Sequence, residues 1–100
     1  MSSKKKSILG TKSYGLYFGS VESYDPVTEV AVVNDCQHVC RWYGRSGGIT
    51  ALAAYGICGP EADKSRIAPP APRSTLAGIV AVHECTEEAA QSIEEATSDE

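Results

Sequence analysis

The chain has little of what most functional classes need. It has one Trp, one Phe and one Met in 100 residues, and only two histidines, His38 and His83. No run of 18 or more apolar residues is present, which excludes a membrane-spanning helix of ordinary length. Lys4 to Lys6 are followed by SILGTKSYG, which supplies no apolar core for a secretory signal. The G-x4-G-K-[ST] phosphate loop is missing, and so is any local signature of a cysteine hydrolase. No internal repeat is visible. Lys and Arg are missing altogether after His83, while seven acids follow it; before that point nine Lys/Arg face six acids. The net charge of −4 therefore hides a mildly basic body and an acidic C-terminal segment.

What is present fits one small domain. Residues 1–12 read as a disordered basic arm, 13–96 as a single domain and 97–100 as an acidic tail. That leaves about 75 to 80 residues for a core, a size at which burial is barely sufficient and a homo-oligomer is expected to help. The fold class expected is α+β: a small antiparallel sheet or open β-barrel of four to six strands, with a short inserted helix and a C-terminal helix. Tyr14 to Ser23 and Val27 to Val33 read as a hairpin around the turn Tyr24-Asp25-Pro26. Asn34-Asp35 interrupts the second run as a tight turn or a bulge. Cys36 to Tyr43 reads as a third strand, whose alternation puts Cys36, His38, Cys40 and Trp42 on one face, expected to be buried.

Ser46 is the expected N-cap of a short helix over Ile49 to Tyr55, stopped by Gly56. Its apolar residues run almost all round, as in a buried or subunit-facing helix. Lys64 to Ile67 reads as a short extended piece, and the proline-rich APPAPRS as an edge segment. Leu76 to Cys85 is apolar on both faces, as in an inner strand. Thr86 caps a last helix whose narrow apolar face is Ala89, Ala90, Ile93 and Ala96.

Three chemistries are open to these residues. Zinc would need Cys36, His38 and Cys40 as ligands, yet alternate residues on a strand lie about 6.8 Å apart, wider than a C-x2-C knuckle allows. No metal and no cofactor is therefore expected, and the four cysteines read as free thiols. A Cys–His nucleophile has no supporting motif, so the chain is not expected to be an enzyme. Anion binding fits best. Arg41, Trp42, Tyr43 and Arg45 lead into Gly47 and Gly48 at a helix start, where guanidinium groups and backbone N–H groups suit phosphate and the aromatic rings suit a base. Lys64, Ser65 and Arg66 add a second cationic cluster. The bland alternative is a glycine turn flanked by solvated arginines.

The segments GLYFGSVES, VVNDCQHVCRWYG, GGITALAAYG-x2-GP, KSRI and LAGIVAVHECTEEAAQSIEEA also resemble, in order, a family of small uncharacterised proteins encoded by tailed phages and prophages. The resemblance runs from Tyr14 to Ala96. It implies a phage accessory protein working in the host bacterial cytoplasm. By size and kind of patch, it implies a homo-oligomeric, non-enzymatic sponge for a nucleotide-like signal of host immunity. An inhibitor that binds a host protein directly, or a minor virion or assembly component, is the alternative. No membrane and no nucleic acid is expected as a partner.

Overall fold

A computed structural model of the chain describes residues 5–12, 15–44 and 48–97. Six strands and two helices follow one another: β1 (Ser7–Thr11), β2 (Leu16–Asp25), β3 (Val30–Arg41), α1 (Ile49–Tyr55), β4 (Arg66–Ile67), β5 (Ala71–Leu76), β6 (Ile79–Glu84) and α2 (Glu87–Glu95). A single turn of 3-10 helix, Ala62–Lys64, leads into β4. The protein is thus α+β, with one antiparallel six-stranded sheet in the order β4-β3-β2-β1-β6 and β5 beside β4 on the same flank of β3.

The β2–β3 hairpin forms where the turn chemistry is strongest. Asp25 accepts the N–H of Val27 on its side chain at 2.9 Å and that of Glu29 on its carbonyl at 2.7 Å, and Glu29 takes the left-handed conformation at φ 64°. β3 runs unbroken through Asn34-Asp35. Asp35, at φ 52°, is an extra residue opposite Gly19, so the interruption is a bulge. Gly19 is required beneath it, since a Cβ there would sit 2.6 Å from Val33 Cγ1.

Alternation along the strands sends residues to two cores, one on each face of the sheet. Ile8, Phe18 and Val39 point to the face covered by both helices, where they meet Leu52, Ile57, Ile67 and Ile93. Leu9, Ala31, Val33, Cys36 and Ile79 form the core of the opposite face. That second core has no helix over it because the sheet curls upon itself. β5 and β6 lie at opposite ends of the strand order yet are joined by Ala77 and Gly78 alone, with Gly78 at φ 74°. Tyr24 Oη donates to the Ile79 carbonyl at 3.1 Å, and the Ile79 N–H to Glu29 at 2.9 Å, fixing the β2–β3 hairpin against this corner.

Several expectations are corrected. The stretch 1–12 is not an arm over its described part: Ser7–Thr11 is an inner strand paired with both β2 and β6, and Ile8 and Leu9 are fully buried. Two apolar residues between lysines gave too short a signal, but Lys6 is held over the Phe18 ring at 5.5 Å and against Glu94 at 3.2 Å. Residues 1–4 and 98–100 lie outside the described residues. Leu76 to Cys85 is not one inner strand. It bends at Ala77-Gly78, and β6 is an edge on which Val80 is 50% exposed. The N-cap of α1 is Gly48 rather than Ser46, with no side-chain cap bond. Gly56, Thr86 and the face of α2 stand as expected: Gly56 closes α1 through an N–H bond to Leu52, Thr86 Oγ1 accepts the Ala89 N–H at 3.1 Å, and Ala89 and Ile93 are fully buried.

Candidate functional site

β4 pairs with the end of β3 in the register Val39↔Ile67 and Arg41↔Arg66, with an irregularity at Cys40 between them. Directly opposed residues on antiparallel strands put their side chains on one face, about 5 Å apart at Cβ. Arg41 and Arg66, both exposed, therefore stand side by side on the sheet edge. Neither has an ion pair among the described residues. Like charges placed so are mutually repulsive. Lys64 lies one residue before Ser65, exposed, with its ammonium 3.7 Å from Glu61. A surface pair of this kind is worth little and leaves the ammonium available.

The other expected site residues divide by role. Tyr43 is half-buried; its N–H donates to Ser65 Oγ at 3.1 Å and its carbonyl accepts from Cys58 at 3.2 Å. Ser65 is buried, and its hydroxyl holds the strand exit beside β4. Trp42 is half-buried and packs on the helix-side core. It does not share a face with Cys36, His38 and Cys40, because the irregularity at Cys40 turns the chain over. Gly44 lies against its ring, where a Cβ would be 3.5 Å from Cζ3 and 2.7 Å from the Gly56 carbonyl. Gly48 is exposed at φ 75°, with open space where a Cβ would stand. Arg45 and Gly47 lie outside the described residues. The structure thus brings Arg41 and Arg66 together, with Lys64 and Tyr43 on the neighbouring segments, and takes Trp42 and Ser65 into supporting roles.

The cysteine face is not buried as a unit. Cys36 is buried, where desolvation raises its thiol against an opposing hydrogen bond from Ser74. Cys40 is exposed, with Sγ 3.3 Å from Nδ1 of His38, whose ring lies 5.0 Å from that of Tyr17. Cys85 is pushed up to about 11 by burial. Among the described residues no group of three His, Cys, Asp or Glu side chains could share a metal ion, and no helix is long and apolar enough to cross a membrane.

Sequence reasoning missed two buried polar side chains. Gln37 donates from Nε2 to the Ala68 carbonyl at 2.9 Å and to Thr97 Oγ1 at 2.7 Å, tying β3 to the β4–β5 link and to the residues after α2. Ser20 is buried with its hydroxyl unpartnered among the described residues. Neither belongs to a motif, and only strand parity combined with the bulge position would have found them.

The fold and the edge define a small curled-sheet α+β protein with a paired-arginine patch. The chain belongs to the family described as a domain of unknown function, DUF6948, whose model matches residues 4–93. No curated protein and no solved structure matches it.

Proposed function

We propose that the protein is a non-enzymatic binder of a nucleotide-like anion, held at the β3–β4 edge. The observation that carries this reading is the register Arg41↔Arg66, which sets two exposed arginines side by side with no ion-pair partner among the described residues. A phosphate or pyrophosphate between them replaces repulsion by bidentate, charge-assisted hydrogen bonds. Lys64 adds a third cation, and Tyr43 offers a ring for a base. The phage resemblance directs the choice of ligand. A signal nucleotide of host immunity, sequestered intact in the host cytoplasm by a homo-oligomer, is the first class to test.

Calorimetry against cyclic dinucleotides and ADP-ribose isomers is the direct measurement. Binding tighter than about millimolar is expected, weakened tenfold or more by Arg41→Ala or Arg66→Ala. Silence across the panel, or affinity unchanged in both variants, rejects the reading. Ligand recovered unaltered after denaturation of the complex separates a binder from an enzyme.

A further inference from the structure

A second polar site lies away from the arginine edge, where β1 begins. Ser7 pairs with Gly19 on β2 and with Glu84 on β6. Beyond it β1 stops, while β2 continues through Ser20, Val21 and Glu22 beside Asn34 of β3. The notch left between them is a cleft of about 420 Å³, lined by Lys5, Ser7, Ser20, Glu22, Asn34 and Glu84 among others. That volume falls within the range of small-molecule sites.

Three features of the cleft are unspent. Ser20 is only 5% exposed, and its hydroxyl has no hydrogen-bond partner among the described residues. A buried hydroxyl left unpaired is destabilising, so a polar atom supplied by a bound molecule is favourable there. Lys5 and Glu84 line the same cleft with opposite charges, yet they form no ion pair with each other or with any described residue. Glu22, the other carboxylate, is occupied: Arg73 donates to both of its oxygens at 3.0 Å, and Asn34 Nδ2 lies 3.4 Å from one of them. A lysine and a glutamate thus line a shared space without an ion pair between them.

We propose that this cleft binds a small zwitterion, its carboxylate on Lys5, its ammonium on Glu84, and a hydrogen bond to Ser20 Oγ. The pairing of charges selects against simple anions, which Glu84 repels, and against simple amines, which Lys5 repels. It also makes this site independent of the arginine edge.

Glycylglycine is the probe, with N-acetylglycylglycine and glycylglycinamide as partners lacking one charge each. Amide chemical shifts of Ser7, Ser20 and Glu84 should move saturably with glycylglycine at millimolar concentration. Each single-charge probe should bind tenfold or more weakly. Lys5→Gln and Glu84→Gln should weaken glycylglycine tenfold or more, and Glu84→Gln should abolish discrimination against the acetylated probe. Ser20→Ala should bind more weakly while melting no lower than the parent, a split that a purely structural serine does not produce. Arg41→Ala should leave all of this unchanged. No saturable shift, or equal affinity for the three probes, overturns the proposal whatever the outcome at Arg41 and Arg66.

Discussion

Gly56 illustrates how tightly single residues are held. It ends α1 at φ 75°, and a Cβ there would fall 2.8 Å from Ala89 Cα and still nearer Ser92 Oγ. That hydroxyl is already engaged, donating to Ala89 at 2.7 Å and accepting the Ile57 N–H at 3.0 Å. Gly56→Ala therefore combines left-handed strain with overpacking and should cost about 3 kcal/mol, read as a fall in the urea midpoint. Cys85 gives a pH dependence of definite sign. Its thiol is raised by burial in the folded state, from an ordinary 9.0 to about 11. The folded chain then keeps the neutral thiol where the unfolded chain would ionise. This contribution is complete below about pH 9 and is lost as pH rises toward about 11. Urea melts across that window should steepen the decline for the parent relative to Cys85→Ala.

At the scale of elements, the α1–α2 joint rests on Thr86. Its hydroxyl caps α2 by accepting from Ala89 and ties down α1 by donating to the Ala54 carbonyl at 3.0 Å. Thr86→Ala should lose about 1 to 2 kcal/mol, lowering the melting temperature by several degrees. Ile93, fully buried on the same helix, should cost about 2 to 5 kcal/mol as Ile93→Ala. Both features were legible in the sequence, because a cap residue and a 3.6-residue apolar stripe are local signals. So were the Asp25 turn and the proline-limited edge strand. What was not legible is long-range. Ile8 and Leu9 become an inner strand only because His83 and Phe18 arrive on either side. Trp42 leaves the cysteine face because of a register slip at Cys40 that no composition announces. Arg41 and Arg66 could be named as cations, but their direct opposition depends on the β3–β4 register.

The whole molecule depends on its first strand. β1 carries residues of both cores and separates β2 from β6. Removing residues 1–11 should abolish cooperative unfolding, seen as loss of the thermal transition by circular dichroism. A dispensable arm would leave that transition in place. The acidic C-terminal segment is partly neutralised by the body, through Lys6 on Glu94, so the two charge halves are joined by packing as well as by sequence.

The two-residue corner at Ala77-Gly78 also fixes an order of events in time. β1 is made before β6, yet one of its flanks is closed by His83 and Val82, which are made more than seventy residues later. Until then that edge is open, and Ile8 and Leu9 have only β2 beside them. The sheet can close only after β6 has been synthesised, so the native state is reached through distant contacts, which favours slow folding. During that interval a nascent chain presents an unpaired apolar strand, the state in which chaperone contact or mispairing with a second chain is decided.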